Sequence, residues 1–267
     1  MAIHPTAVVD PHAELAADVE IGPYAVIEGP VRLGARVRVM AHAMVRGDTT
    51  LGTDCAVFPF ACVGGDPQDL KYRGEPTKLV VGDRNVFREN STANRGTAAG
   101  AGVTRIGNDN LFMANAHVAH DCVIGDHCVF ANSVAVAGHV VISDRVVLVG
   151  LAAVHQYGRV GRCSMVGGGA MAAQDVPPFT IAQGDRARLV GLNVVGLRRA
   201  GFSREVMSAL KGAYRELFQA GMPTRIAAEQ VRAFYHDVPE VLELVAFLEA
   251  SQRGICRSVG SSESADE

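Results

Sequence analysis

Apolar residues recur at every sixth position along most of this chain. One series runs from Ile3 to Val63 and a second from Ile106 to Val166, and all eleven positions of each are Ile, Leu, Val or Phe. At 48% apolar residues overall, such a pattern has a chance probability of roughly 10⁻⁷. A period of six fits neither an α-helix nor a long strand. It predicts short strands that alternate with tight turns.

Glycine follows many of these apolar positions, as in IG at 21, LG at 33 and IG at 124. A glycine beside an inward-pointing residue permits turn dihedral angles that a side chain would oppose. Three strands and three turns would close a triangular coil of about 18 residues, and stacked coils would pair as parallel strands about 4.8 Å apart. The pattern therefore predicts a mainly β protein, a parallel β-helix of hexapeptide repeats.

Two segments interrupt the period, and we expect both to leave the coil as loops. The first lies near residues 64–80 and contains GGDPQDLKYRGEPTK. The second lies near residues 94–105 and contains NRGTAAGAGVTR, where the phase slips by one residue. Loops inserted on one face of a solenoid commonly form its binding face.

The period fades after about residue 184, and the pattern then predicts three amphipathic helices. The first has Ser203 as its N-cap and Glu205 in its first turn, and Pro239 begins the last. We therefore expect a β-helix over 1–184 and a small helical C-terminal domain over 185–257. The polar tail 258–267 is expected to be disordered.

The composition narrows the possible partners. A net charge of −3 and a pI near 6.3 give no reason to expect nucleic acid or an anionic membrane. No apolar run reaches a membrane span and no signal peptide is visible, so we expect a cytoplasmic protein without membrane insertion. The six cysteines form no CxxC pair, which favours reduced thiols over disulfides or zinc. No metal and no cofactor are expected.

The coil period gathers four of the nine histidines at one edge. One coil after His120 comes Gly138 and two coils after it comes Gln156, while His139 and His155 lie next to those two positions. His117 precedes His120 by three residues. From the spacing of stacked strands we expect all four within about 10 Å of one another. None occupies an inward six-residue position, so we expect them to point outward or towards a neighbour.

Three interpretations of this histidine cluster stay open. The first is a solvated polar edge, and the second is a zinc site shared between subunits. The third is acid–base chemistry, because a neutral imidazole is the best-matched base at neutral pH and Asp121 directly follows His120. A carboxylate that accepts from one ring nitrogen fixes the tautomer. No GxSxG occurs, which favours direct attack by a substrate hydroxyl over a covalent enzyme intermediate.

Several motifs together resemble one family, the UDP-N-acetylglucosamine O-acyltransferases of lipid A biosynthesis. They are NAHVAHDC, AGHV, AVHQ, AAQDVPPF, IAQGD, DLKYRGEPT and GFSRE, in the family's order, and they extend to about Arg257. The resemblance implies a left-handed β-helix and a homotrimer with active sites between neighbouring subunits. The implied substrates are UDP-N-acetylglucosamine and an (R)-3-hydroxyacyl chain on acyl carrier protein.

The resemblance also implies roles for individual residues. His120 would be the general base that accepts the proton of the sugar 3-hydroxyl, Asp121 would orient it, and the Gly138 N–H would hold the oxyanion. Gly168 would lie where the family gates acyl length. The remaining implied substrate contacts are Asp69, Lys71, His117, His139, His155, Gln156, Asn193 and Arg199.

The chain departs from the family pattern at three positions. Asn94 stands where the family often has histidine, Val195 where it often has glutamate, and Ala200 where it often has a basic residue. The last two bear on nucleotide and carrier-protein contacts, whereas none of the three alters His120 or Asp121. Acyl length is not predicted, because Met165 and Met171 could fill the room that Gly168 leaves.

Other functions remain as alternatives. The related N-acyltransferase of the same pathway carries an extra N-terminal domain, whereas the repeat here begins at Ile3. A 3-amino analogue of UDP-N-acetylglucosamine would give an amide with the same base. A non-enzymatic scaffold predicts histidines scattered around the coil, which disagrees with their spacing.

Overall fold

A computed structural model describes residues 2–258, which contain 28 strands in three sheets and four α-helices. The first sheet has eleven strands, in the order β1 (Ala2–Ile3), β4 (Glu20–Ile21), β7 (Arg38–Val39), β10 (Ala56–Val57), β13 (Val86–Phe87), β16 (Leu111–Phe112), β19 (Val129–Phe130), β22 (Val147–Leu148), β25 (Met165–Val166), β27 (Thr180–Gln183) and β28 (Arg188–Leu192).

The other two sheets complete the coils. The second sheet contains β2 (Val8–Val9), β5 (Val26–Glu28), β8 (Met44–Arg46), β11 (Cys62–Gly65), β14 (Thr92–Asn94), β17 (His117–Val118), β20 (Ala135–Val136), β23 (Ala153–Val154) and β26 (Met171–Ala172). The third contains β3 (Glu14–Leu15), β6 (Arg32–Leu33), β9 (Asp48–Leu51), β12 (Lys78–Val81), β15 (Val103–Ile106), β18 (Val123–Ile124), β21 (Val141–Ile142) and β24 (Arg159–Val160).

The register of the strands shows the coil period. Val118 pairs with Val136 and Val136 with Val154, each at the equivalent position of the next coil. Every named pair of strands is parallel except β27 with β28, which closes the end of the first sheet. The molecule is a left-handed parallel β-helix with a short C-terminal helical part, and the predicted fold class is confirmed.

The two predicted interruptions are insertions between strands of neighbouring coils. Val63 pairs with Ala93 and Ala93 with Val118, so both steps along the chain are longer than the regular coil. The extra residues form a first loop, 66–77, and a second loop, 95–102. The strands on either side keep their pairing, so the insertions leave the stack of coils intact.

The apolar positions of the six-residue period line the interior of the coils. Phe87, Phe112 and Phe130 stack there with ring centroids 4.7 and 4.6 Å apart. The first coil is less well covered, because each of its strands pairs on one side only. Ile3 is 40% exposed, and Val9 and Leu15 are only partly buried.

Corner residues repeat as regularly as the strands. The second turn residue of most corners adopts a left-handed conformation, as at His42 (φ 60), Asp121 (φ 60) and His139 (φ 61). This conformation is unfavourable for residues with a Cβ. Some of these side chains interact with their equivalent one coil away, as Tyr24 stacks on His42 with ring centroids 5.1 Å apart and Arg36 pairs with Asp54 at 2.6 Å.

The helices follow the antiparallel strand β28. They are α1 (Val194–Arg199), α2 (Arg204–Phe218), α3 (Thr224–Phe234) and α4 (Pro239–Glu249). The sequence predicted α2, α3 and α4, and Ser203 is the N-cap of α2, with its hydroxyl accepting from Val206 N. It did not predict α1, a single short helix that begins with two β-branched residues. The side chain of Asn193 caps this helix and ties it to the coil.

Charged contacts fasten the helices to the end of the coil. Arg159 donates to Asp175 (2.9 Å) and to the carbonyl of Phe247 (2.8 Å), and Arg162 pairs with Glu243 at 2.6 Å. The backbone after α4 then returns to the coil, where Ser258 forms a bridge with Leu189 and is 5% exposed. Ser258 is the first residue of the tail predicted to be disordered, and residues 259–267 of that tail lie outside the described part.

None of the four helices in residues 2–258 combines the length and apolar character that crossing a bilayer requires. The six cysteines all lie within the same residues and are all free thiols. Burial raises the pKa of Cys55 to about 11 and the pKa values of Cys122 and Cys128 to about 12. These three thiols therefore stay protonated at neutral pH and are poor nucleophiles.

Candidate active site

His120 and Asp121 are the two turn residues at the corner between β17 of the second sheet and β18 of the third sheet. His120 Nδ1 lies 2.8 Å from Asp121 Oδ2. The side chain of His120 is 15% exposed and that of Asp121 is 1% exposed. The imidazole is therefore reachable from the surface, whereas its carboxylate partner is buried.

Hydrogen bonds hold Asp121 in its ionised form. Its oxygens accept from the Thr97 amide (3.0 and 3.1 Å) and from the Thr97 hydroxyl (2.6 Å). Burial by itself would raise the pKa of Asp121, but the hydrogen bonds from Thr97 and His120 outweigh it and lower that pKa below its usual value. Thr104 Oγ1 accepts from the Asp121 amide at 2.8 Å and completes the enclosure.

The ionised carboxylate fixes the tautomer of His120. A carboxylate can only accept, so Nδ1 of the ring must carry the proton that it donates to Asp121. Nε2 is then the unprotonated nitrogen of the neutral imidazole, and its lone pair points away from Asp121. This arrangement suits a general base that is oriented by a carboxylate.

Gly138 faces this ring from the next coil. A Cβ at Gly138 would lie 2.7 Å from both Cε1 and Nε2 of His120, closer than real Cβ atoms approach. The Gly138 N–H makes no hydrogen bond within residues 2–258, and neither do those of His120 and Gln156 at the same turn position. Gly138 differs from these two in its bare backbone, which lets a substrate oxygen reach the N–H beside the base.

His139 and His117 border the pair on either side. The His139 ring meets the His120 ring edge-on at 5.0 Å and stacks on Tyr157 at 4.5 Å. His117 Nδ1 lies 2.7 Å from the hydroxyl of Thr92. Burial, and then repulsion from the His120 ring when that ring is protonated, lower the pKa of His117, so His117 is neutral at neutral pH.

The donor set bears on the zinc interpretation. His120, Asp121 and His139 each offer a ligand atom within 4.8 Å of the others. However, the Asp121 oxygens already accept from Thr97 and His120, and His139 Nε2 lies 3.9 Å from Oδ2. A metal would have to displace these hydrogen bonds, so the geometry favours acid–base chemistry.

His155 and Gln156 lie further along the same edge, whereas Gly168 lies at the corner between the first and second sheets. His155 Nδ1 lies 3.1 Å from the Gln156 carbonyl, and both residues are exposed. An added Cβ at Gly168 would meet Gly150 O at 3.5 Å and Val149 Cγ1 at 3.6 Å. No atom of Met165 or Met171 lies within 4 Å of that added Cβ.

Asp69 and Lys71 lie in the first loop. The Asp69 carboxylate accepts from the Lys71 amide at 2.9 Å, a local turn that leaves the lysine side chain exposed. Leu70, between them, is 95% exposed. This loop therefore projects an acid, a base and an apolar side chain into solvent.

Asn193 and Arg199 belong to the end of the coil and to α1. Asn193 Oδ1 accepts from Gly196 N at 3.0 Å and Nδ2 donates to the Cys163 carbonyl at 2.9 Å. Its amide is 6% exposed and fully engaged in holding α1, whereas Arg199 is exposed in the last turn of that helix. Within residues 2–258, no hydrogen bond or ion pair joins either residue to His120.

The three departures from the family pattern fall in different surroundings. Asn94 is buried and its Nδ2 donates to the Asp66 carbonyl at 2.8 Å, so it tethers the first loop. Val195 is 57% exposed on α1, and Ala200 is the C-cap of that helix.

Sequence reasoning missed Thr97, Arg95 and Tyr157. Tyr157 lies exactly one coil after His139, so the coil period was a signal that could have found it. Thr97 and Arg95 lie in the second loop, which has no period. Their contacts with the site depend on how that loop folds.

Comparisons with known proteins agree with the fold. The family described as "Udp N-acetylglucosamine O-acyltransferase; Domain 2" matches residues 175–256, and "Bacterial transferase hexapeptide (six repeats)" matches 103–138. Similar proteins named acyl-[acyl-carrier-protein]–UDP-N-acetylglucosamine O-acyltransferase come from Anaeromyxobacter sp. strain K (56% identical; 96% of this chain, 100% of the relative) and Stenotrophomonas maltophilia K279a (50%; 96% and 97%).

Two solved structures are similar along almost the whole chain. The UDP-N-acetylglucosamine acyltransferase of Francisella novicida superposes with a TM-score of 0.94 at 34% identity, covering 97% of this chain and 95% of that one. LpxA from Acinetobacter baumannii superposes with a TM-score of 0.93 at 43% identity, covering 96% and 100%.

The hexapeptide coil and its histidine–carboxylate pair define a transferase of the hexapeptide-repeat class. Relatives at 50–56% identity, matched over 96% of this chain, identify the family within this class. The chain belongs to the acyl-[acyl-carrier-protein]–UDP-N-acetylglucosamine O-acyltransferase family.

Proposed function

We propose that this enzyme transfers an (R)-3-hydroxyacyl chain from acyl carrier protein to the 3-hydroxyl of UDP-N-acetylglucosamine, the first step of lipid A biosynthesis. The observation that carries the proposal is the His120 ring, whose Nδ1 is held by the buried Asp121 carboxylate and which lies next to the bare backbone of Gly138. Family membership supplies the substrate class.

In this reaction, His120 Nε2 accepts the proton of the sugar hydroxyl as its oxygen attacks the thioester carbonyl. Asp121 remains ionised and stabilises the imidazolium that forms. The Gly138 N–H donates to the carbonyl oxygen as negative charge develops there. The C–S bond then breaks, His120 returns its proton to the departing thiolate, and the acyl ester and the free carrier thiol are the products.

The flanking residues would contact the substrates. His117, His139, His155 and Gln156 line the edge on both sides of His120, where the sugar and acyl chain would lie. Lys71 and Arg199 suit phosphate oxygens, and Asp69 suits a hydroxyl. Asn193 would act by holding α1, which presents Arg199, because its own amide is already engaged. Gly168 would border the end of the acyl chain.

Further proposals concern assembly and location. The active edge and the projecting first loop are exposed in one chain, which is compatible with a homotrimer whose sites lie between subunits, and with a cytoplasmic location where acyl carrier protein occurs. Light scattering coupled to size exclusion would test the trimer. A mass equal to one chain in the active enzyme would contradict it.

The experiment for the function is acyl transfer from 3-hydroxyacyl carrier proteins of several chain lengths to radiolabelled UDP-N-acetylglucosamine. Wild type, His120→Ala and His127→Ala would be compared, since His127 is an exposed histidine at a different corner. We expect a loss of about a hundredfold or more for His120→Ala, as for other general bases, and wild-type rates for His127→Ala. Equal rates for all three proteins would contradict the role of His120. Inactivity of wild type with every donor would point to a 3-amino acceptor.

A further inference from the structure

The second loop is folded onto the buried carboxylate. Thr97 donates to Asp121 through both its amide and its hydroxyl, as described above. Gly100 closes over the same group, because a Cβ there would lie 2.5 Å from Asp121 Cγ. Any side chain at Gly100 would displace the carboxylate, so this part of the loop is shaped to Asp121.

Arg95 anchors the second loop to the first. It is 8% exposed, and its guanidinium donates to the Gly64 carbonyl at 2.6 Å, to the Asp66 carboxylate and to the Tyr72 hydroxyl at 3.1 Å. The planar guanidinium has several donors in a fixed arrangement, and here they engage three separate partners. Gly47 leaves room for it, because an added Cβ there would overlap the guanidinium.

We propose that Thr97 is a positioning residue for the His120–Asp121 pair, and that Arg95 holds the second loop where Thr97 can act. This inference rests on the proposed function for its catalytic consequence. The two insertions would then act together. Arg95 joins the first loop, which carries Asp69 and Lys71, to the second loop, which orients His120 through Thr97.

Thr97 would act by preventing rotation of the Asp121 carboxylate. Asp121 must present Oδ2 to His120 Nδ1, and the Thr97 hydroxyl donates to that same oxygen. Without the hydroxyl, only the Thr97 amide and the His120 ring make hydrogen bonds to the carboxylate. We expect the carboxylate then to rotate away from Nδ1 for part of the time, so that the Nδ1-protonated tautomer of His120 is enforced less strictly.

The kinetic test compares Thr97→Val, which keeps the shape and the amide but removes the hydroxyl, with Thr97→Ser, which restores it. Thr180→Val is the matched control, because this buried hydroxyl donates to the Pro177 carbonyl far along the coil. We expect kcat to fall about ten- to a hundredfold in Thr97→Val with KM for UDP-N-acetylglucosamine within about twofold, as for loss of a hydrogen bond to a charged group. Thr97→Ser should recover most of this loss.

A second measurement does not depend on activity. In protein labelled with ¹⁵N-histidine, the ring nitrogen resonances report the tautomer of His120, assigned by their loss in His120→Gln. We expect one Nδ1-protonated tautomer in wild type, Thr97→Ser and Thr180→Val, and a mixture in Thr97→Val.

The outcomes separate the two proposals. A Thr97→Val protein with wild-type kcat and a single His120 tautomer would overturn the positioning role. Equal losses in Thr97→Val and Thr180→Val, with the tautomer unchanged, would also overturn it, since the effect would then be one of general packing. If wild type transfers no acyl chain but Thr97→Val still shows mixed tautomers, the proposed function fails and the positioning role stands.

Discussion

Two ladders of corner side chains can be compared directly, because each repeats once per coil. The aromatic ladder consists of Tyr24, His42 and Phe60, and the catalytic ladder consists of Asp121, His139 and Tyr157. The stacking is nearly the same in both, with ring centroids 5.1 and 5.2 Å apart in the first and 4.5 Å apart between His139 and Tyr157.

What separates the ladders is their surroundings. The aromatic ladder is open to solvent, with Tyr24 58% and Phe60 60% exposed. The catalytic ladder begins with a carboxylate that the second loop buries and supplies with hydrogen bonds. The comparison teaches that the repeat supplies stacking geometry, whereas an insertion turns one corner into a chemical site.

The largest expected effect comes from removing the charge of Asp121. In Asp121→Asn, the amide no longer enforces the Nδ1-protonated ring or stabilises the imidazolium, so we expect kcat to fall by about 10²–10⁴. His42→Gln in the aromatic ladder should leave kcat unchanged. Steady-state acyl transfer measures kcat of both variants. A loss below tenfold in Asp121→Asn would contradict the role in catalysis that distinguishes the catalytic ladder from the aromatic ladder.

A smaller effect on kcat is expected from substitution of Gly138. Its Cβ in Gly138→Ala would overlap the His120 ring, so we expect the ring to tilt and kcat to fall about ten- to a hundredfold. Steady-state acyl transfer compares this variant with wild type, and a kcat equal to that of wild type would contradict the close approach that we assign to Gly138.

The melting temperature at acidic pH should depend on the buried carboxylate of Asp121. A carboxyl whose folded pKa is lowered stabilises the fold above its unfolded pKa, near 3.9, and this stabilisation is lost as pH falls through the folded value. We therefore expect the drop in melting temperature between about pH 5 and pH 3 to be smaller in Asp121→Asn than in wild type. His42→Gln should keep the wild-type drop. An equal drop in all three proteins would mean that the pKa of Asp121 is not lowered in the fold.

The smallest effects concern stacking alone. Phe60→Ala and Tyr157→Ala each remove one stacked ring, and we expect each to lower the free energy of unfolding by about 0.5–1.5 kcal/mol. Only Tyr157→Ala should also lower kcat, by a few-fold, because His139 loses its support beside His120. Urea unfolding and acyl transfer give the two readouts. If Phe60→Ala reduced kcat as much, the aromatic ladder would influence the site through the coil.

The sequence predicted the coil because its information is periodic. Every sixth residue must fill the same interior, so the period alone assigns Val118, Val136 and Val154 to one face, as their pairing shows. The same period placed Gly138 one coil from His120. The period misjudged the burial of Ile3, because the first coil has no coil before it to cover it. It also did not predict α1, which lies outside the repeat and is stabilised by side-chain capping from Asn193.

By itself, the sequence determined the stacked coils, the two insertions, the helices α2 to α4 and the edge on which the histidines gather. Only the tertiary structure decided that Asp121 is buried, that Thr97 keeps it ionised, and that Arg95 joins the two loops. The physical reason is that a repeat fixes distances through pairing at constant register, whereas an inserted loop has no register. Its contacts arise only when hydrogen-bond donors and acceptors from distant segments are satisfied together in the folded chain.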